Sequence, residues 1–140
     1  MTTRGRILAL DLGKKRIGLA LSDELGITAQ GLPTLERRNK RADFAELTRI
    51  VREKNVARIV LGLPLRMSGE EGSQADWVRA FAEELKAFVD VPIDLRDERW
   101  TSKQAERVLA GSGVRNEDRK PAIDRISAMI LLQDYLDSFS

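Results

Sequence analysis

The order of predicted elements indicates an α/β fold, a five-stranded mixed sheet flanked by helices. The chain opens with short apolar runs separated by turn residues, and segments with apolar residues at helical spacing then alternate with further short runs. Hairpins would join the first three strands, whereas helical crossovers would bring the later two parallel to the first. A length of 140 residues predicts one domain over 1–140.

The first strand is an apolar run that carries a carboxylate. Residues 7–12 read Ile-Leu-Ala-Leu-Asp-Leu, which is typical of a buried strand. Burying the charge of Asp11 is costly unless a counter-ion, hydrogen bonds or a metal compensate for it. A salt-bridged structural aspartate is the simpler interpretation of a lone acid, so a functional role for Asp11 depends on the rest of the chain.

Two clusters of cations flank the next strands. Lys14, Lys15 and Arg16 form the predicted turn before the second strand, residues 17–21, and the segment 37–41 reads Arg-Arg-Asn-Lys-Arg. Such clusters are either solvated surface or binding sites for phosphate, and the sequence favours neither.

The third strand is predicted at residues 27–35, and Pro33 places it at an edge of the sheet because proline cannot donate to a strand ladder. A helix is predicted over 42–54 from apolar residues at helical spacing. The β-branched run 56–61 then predicts a buried fourth strand.

A loop rich in glycine, serine and acids is predicted at 63–72, with Ser73 as the N-cap of the second helix. The apolar stripe of that helix is interpreted as core rather than as a platform for stacking bases. Its members are Trp77, Phe81, Leu85 and Phe88. The last strand is predicted at 92–98 and ends in acids.

Two helices complete the predicted fold. Thr101 and Gln104 form a capping-box pattern at the start of the third helix. A polar loop is expected over 111–120, and Pro121 then opens a C-terminal helix that runs to about Ser138.

The composition limits which catalytic groups and metal ligands the chain can use. The chain has no cysteine and no histidine, which excludes disulfides, thiolate nucleophiles, imidazole bases and the common zinc sites. Any bound metal would have oxygen ligands, which favours Mg²⁺ or Mn²⁺. No apolar run is long enough to predict a transmembrane helix, and no signal peptide is recognised, so a cytoplasmic protein is expected.

Three acids occupy unusual places: Asp11 in the first strand, Glu98 at the end of the last strand, and Asp124 in the first turns of the final helix. Each alone has a structural explanation, but the predicted architecture brings their elements to one end of the sheet. Converging carboxylates repel one another unless a cation neutralises them. A divalent metal, or a pair about 3.5–4 Å apart, would neutralise them and set up in-line attack of water on a phosphodiester.

Nearby cations fit such a reaction. Lys14, Lys15 and Arg16 would hold the phosphates that flank the scissile bond. Arg99 would contact the scissile phosphate or neutralise Glu98.

The sequence resembles a known family, the YqgF or RuvX-like proteins, over essentially the whole chain. The matching motifs, in order, are Asp11-Leu12-Gly13, Arg16-Ile17-Gly18, Gly62-Leu63-Pro64, the 69–72 loop, Asp97-Glu98-Arg99 with Thr101-Ser102, and Asp124 before Ser127-Ala128 and Leu131-Leu132-Gln133. The resemblance implies an RNase H-like fold and a metal-dependent nuclease whose acids are Asp11, Glu98 and Asp124. It also implies a substrate: either precursor 16S ribosomal RNA, processed at its 5′ end during ribosome biogenesis, or a DNA Holliday junction.

Two other classes of protein share some of these features. A strand–Asp-x-Gly–turn–strand unit is similar to the phosphate loop of actin-like and sugar-kinase ATPases, but those enzymes enclose a nucleotide between two lobes and this chain has the length of one. The second is a nucleic-acid-binding or transcription-associated factor whose acids are structural. Metal-dependent cleavage separates it from a nuclease. The expected partner is structured RNA or branched DNA, without a membrane, and the expected state is a monomer or homodimer.

Overall fold

A computed structural model describes residues 5–64, 68–98, 101–110 and 116–139. This part of the chain contains five strands and four helices. In chain order they are β1 (Arg6–Leu12), β2 (Arg16–Ser22), β3 (Ala29–Glu36), α1 (Lys40–Glu53), β4 (Val56–Leu63), α2 (Ser73–Leu85), β5 (Ile93–Asp97), α3 (Thr101–Ala110) and α4 (Asn116–Asp137).

The strands form one mixed sheet in the order β3-β2-β1-β4-β5, with β3 and β5 at its edges. β1 pairs antiparallel with β2, and β2 antiparallel with β3. β4 is parallel to both β1 and β5, as the helical crossovers predict. The predicted five-stranded mixed sheet and the edge position of the Pro33 strand are therefore confirmed.

Alternation along β1 supplies a different core to each face of the sheet. Leu8, Leu10 and Leu12 belong to a large core that includes residues of α1 and α2. Ala9, on the other face, belongs to a second core built with α4. Small residues on that face leave room for α4 to pack across β1, β2 and β3.

The prediction for the start of the last helix is wrong. α4 begins at Asn116, and Pro121 lies inside it rather than opening it. Pro121 is the sixth residue of α4, beyond the first four N–H groups that lack an intrahelical partner, so it removes one hydrogen bond from the helix. The Pro121 carbonyl accepts a hydrogen bond from Thr34 Oγ1 at 2.8 Å, which fixes the first turns of α4 to β3.

α2 also differs from its prediction at both ends. Its N-cap is Gly72, and Ser73 is the first helical residue. The helix ends at Leu85, so Phe88 lies beyond it and is 49% exposed. Phe88 instead stacks on Phe44 of α1, with the ring centroids 5.0 Å apart.

Other helix and strand boundaries differ from their predicted positions by a few residues. β4 extends to Leu63, into the predicted loop, and β3 begins at Ala29, which leaves Ile27 outside the strand. The side chains of Thr101 and Gln104 lie outside what the structure describes. Across the described ranges, none of the helices is both long and apolar enough to span a bilayer.

Candidate active site

The carboxyl ends of β1 and β5 bring two acids together. Asp11 is two residues beyond Ala9 and therefore lies on the sheet face covered by α4. Glu98 follows β5, and its backbone N–H donates to the Leu63 carbonyl at 3.2 Å, which fixes its position beside the end of β4. The side chains of Asp11 and Glu98 are hydrogen-bonded to each other. These two predicted site residues are thus in direct contact.

Two glycines make the space for this arrangement. Gly18 is the register partner of Asp11 on β2, and a Cβ built there would overlap the backbone carbonyl of Asp124. Gly18 therefore lets α4 approach the sheet at Asp124. A Cβ at Gly62 on β4 would overlap the Glu98 carboxyl group, so this glycine forms the cradle in which Glu98 lies.

Burial raises the pKa of both carboxyl groups in the pair. For Asp11, burial and the charge of Asp124 raise the pKa, while the hydrogen bond with Glu98 lowers it. For Glu98, burial, the charge of Asp11 and their hydrogen bond raise the pKa to about 10. At neutral pH Glu98 therefore holds a proton, which it donates to the Asp11 carboxyl group.

Asp124 lies close enough to Asp11 to raise its pKa, but its carboxylate turns toward β2. Arg16 Nε donates to Asp124 Oδ2 at 3.1 Å, and the two side chains are 22% and 28% exposed. Burial raises the pKa of Asp124, and the bond to Arg16 opposes that rise. Within the described ranges, no three acids form a group that could hold a metal ion as the side chains now stand.

Arg37 anchors the basic turn between β1 and β2 through two hydrogen bonds to its backbone carbonyls. Arg37 Nη1 donates to the Gly13 carbonyl at 3.1 Å, and its backbone N–H donates to the Lys15 carbonyl at 2.9 Å. Lys14 and Lys15 are exposed. The structure thus presents these two predicted phosphate ligands to solvent beside Asp11, while Arg16 engages Asp124. Arg99 lies outside the described residues.

Arg37 itself is fixed by the helices. Its Nε donates to the buried carboxylate of Asp43 on α1 at 3.1 Å. Its guanidinium carbon lies 5.6 Å from the Trp77 ring centroid and 5.5 Å from that of Phe81 on α2. Arg37 therefore couples the basic turn to both helices on the far face of the sheet.

The sequence predicted Arg37 only as part of a basic cluster on the surface or at a phosphate site, and it gave Gly18 and Gly62 no structural role. An acid beside Phe44 on the apolar stripe of α1 was the available signal for a buried partner of Arg37, because Asp43 needs one. Neither glycine carries a comparable signal, since close approach of a helix or carboxylate depends on tertiary packing.

We expect Gly62→Ala to reduce any catalytic activity of this site roughly 10–100-fold, because the added Cβ displaces the Glu98 carboxyl group without disturbing the fold. The displaced atoms belong to a side chain, so thermal unfolding should change little. The test is to measure cleavage and the unfolding temperature of the variant together. Full activity would show that Glu98 tolerates displacement.

The strand order β3-β2-β1-β4-β5, with helices on both faces of the sheet, is that of an RNase H-like fold. Solved structures with this arrangement include a Thermus thermophilus RuvC in complex with a Holliday junction substrate, at TM-score 0.58 and 12% identity, covering 96% of this chain and 95% of that one. A fowlpox virus resolvase with Holliday junction DNA matches at TM-score 0.60 and 14% identity, covering 96% and 98%. The predicted fold class is confirmed.

The chain belongs to the RuvX family, described as Holliday junction resolvase, whose model matches residues 5–138. Relatives named "Putative pre-16S rRNA nuclease" include one from Koribacter versatilis, 50% identical over 95% of this chain and 87% of its own length. One from Syntrophus aciditrophicus is 47% identical over 96% and 90%. The resemblance found from the motifs is therefore confirmed.

Proposed function

We propose that this protein is a divalent-metal-dependent endonuclease that hydrolyses phosphodiester bonds in structured nucleic acid. The observation that carries the proposal is the contact between Asp11 in β1 and Glu98 at the end of β5, two partly buried acids from elements separated by β4. Burying two acids side by side destabilises a fold unless a proton or a cation neutralises them. Pairs of this kind mark sites where chemistry, rather than stability, selects the residues.

The residues present fit a hard divalent cation. All donors are carboxylate oxygens, the set that Mg²⁺ and Mn²⁺ prefer, and Gly62 keeps the space around the Glu98 carboxyl group open. Asp11 and Glu98 would hold the ion, and Asp124 would join them once its carboxylate leaves Arg16 and turns toward Asp11. Bound there, a divalent ion would polarise the phosphodiester and lower the pKa of an attacking water.

The surrounding residues have separate roles in this proposal. Glu98 would release its proton to solvent on binding the ion, so that its carboxylate and that of Asp11 could both serve as ligands. Arg16 holds Asp124 next to the site through a part-buried ion pair. Lys14 and Lys15 would bind phosphates on either side of the scissile bond.

The proposed substrate is precursor 16S ribosomal RNA, cleaved near its 5′ end during ribosome biogenesis in the cytoplasm. The names of relatives at 43–50% identity over nearly the whole chain support this choice. A Holliday junction is the second candidate, favoured by the family description and by the resolvases that share the fold.

Metal removal and a matched pair of substrates test the proposal. The purified protein is incubated with an RNA that contains the 16S 5′ precursor region, and separately with a four-way DNA junction, in Mg²⁺, Mn²⁺ or EDTA. We expect cleavage of the RNA in either metal and none in EDTA, because the carboxylates alone cannot activate water. Products are mapped at nucleotide resolution.

The outcomes separate the candidates. Cleavage of the junction alone would identify a resolvase. Binding of either substrate without metal-dependent cutting, even with protein in large excess, would identify a binding factor with structural acids and would overturn the nuclease proposal.

A further inference from the structure

A groove of about 610 Å³ lies on the sheet face opposite the acids. Its walls are the turn between β1 and β2, the first turn of α1 and the first turn of α2. Three cations and three neutral polar residues supply the side chains that carry the argument: Lys14, Arg38, Lys40, Asn39, Ser73 and Gln74. We call it the α1–α2 groove.

The charge of this groove is unbalanced. Asp43 is the acid among its described lining residues, and it is buried and already accepts hydrogen bonds from Arg37 Nε and the Arg38 backbone N–H. Lys40 pairs with Glu84 at 3.0 Å, but both side chains are well exposed, so the pair contributes little. Lys14 and Arg38 are exposed beside it. The groove therefore presents an excess of positive charge to solvent.

The groove and the acids share one turn. Asp11 is two residues before Gly13, a separation of at most about 7 Å along the backbone. Arg37 connects the Gly13 carbonyl to the floor of the groove through Asp43 and Trp77. A nucleic acid positioned at Asp11 thus lies next to the groove, although the groove opens on the other side of the sheet.

We propose that the α1–α2 groove binds the phosphate backbone of a second arm of the structured substrate, the arm that diverges from the strand being cut. This inference rests on the proposed nuclease function. Arg38 and Lys40 contact phosphates without reading the bases, and Lys14 at the crest of the turn lies between the two arms. A short single strand reaches the acids without entering the groove.

Binding to catalytically inactive protein tests this inference without requiring cleavage. In an Asp11→Asn background with EDTA, fluorescence anisotropy measures affinity for an RNA hairpin with a 5′ extension, a four-way DNA junction and a six-nucleotide single strand. The groove variant is Arg38→Gln with Lys40→Gln. The control is Arg52→Gln with Lys54→Gln, which removes the same charge at the other end of α1, about 20 Å away.

We expect the groove variant to bind the branched or hairpin probe at least about 10-fold more weakly than the control variant. Its plot of log affinity against log salt should be shallower by about 2, one unit for each phosphate contact removed. Affinity for the six-nucleotide strand should change less than about two-fold.

Two results would overturn the groove assignment. The groove variant could match the control on every probe, or it could lose affinity for the short strand as much as for the structured probes, which would place its cations at the cleavage strand. Failure of the wild-type protein to cleave any substrate contradicts the nuclease proposal instead, and the two failures are therefore distinguishable.

Discussion

Asp11→Asn is expected to abolish metal-dependent cleavage, with a loss of roughly 10³–10⁵-fold, as for other residues that act within a catalytic unit. Asparagine keeps the shape of the side chain but removes the negative charge that the divalent ion requires. The fold should be retained, because burial raises the pKa of Asp11 and a neutral amide is easier to bury than a carboxylate. Single-turnover cleavage in Mn²⁺ and thermal unfolding measure the two effects.

Asp90→Asn is the matched control. Asp90 is exposed and precedes β5, so it lies at the opposite end of the sheet from Asp11. Its substitution changes net charge by the same amount and should leave cleavage unchanged. An Asp11→Asn protein that still cut its substrate at more than about a tenth of the wild-type rate would remove Asp11 from the site.

The parts of the site that sequence could predict are those with a local chemical conflict. Asp11 interrupts an apolar strand, whereas Glu98 stands between Asp97 and Arg99 at the end of the last strand. The charge of Asp11 needs compensation, and the fold places Glu98 in contact with it. The prediction that β5 is parallel to β1 was enough to place both acids at the carboxyl end of the sheet.

The parts that sequence could not predict depend on packing between elements. Five residues at 37–41 form one basic cluster in the sequence, yet Arg37 turns inward to Asp43 while Arg38 remains exposed. Composition does not distinguish these neighbours. The choice follows from where α1 and α2 place a buried carboxylate and two aromatic rings.

Local signals also gave a wrong boundary where tertiary contacts prevailed. Pro121 is a good first-turn residue, but α4 starts before it and is fixed by Thr34 and by close packing at Gly18. The approach of α4 to β2 sets the position of Asp124, so the helix start is part of the site geometry. A helix-start signal predicts that a helix is near, and packing against the sheet decides its first residue.

Glu98→Gln is expected to stabilise the metal-free protein at alkaline pH while it removes cleavage. The folded protein holds a proton on Glu98 up to about pH 10, whereas an unfolded chain releases it near pH 4.5. Between these values the folded state binds more protons than the unfolded state. The stability of the wild-type protein therefore falls as pH rises across that window, and a glutamine, which cannot ionise, avoids the loss.

The expected difference is about 1–3 kcal/mol at pH 8, or about 3–10 °C in unfolding temperature, and it should vanish below pH 4. Thermal unfolding of both proteins in EDTA across pH 4–9 measures it. Adding Mn²⁺ should then make the wild-type protein the more stable of the two. The ion would replace the shared proton in the wild-type pair, whereas the variant offers it one carboxylate ligand fewer. Two results would contradict this prediction: the stability of the wild-type protein does not fall as pH rises, or Mn²⁺ stabilises it no more than the variant. Either result would show that the two carboxyl groups form a structural contact and not an ion-binding pair.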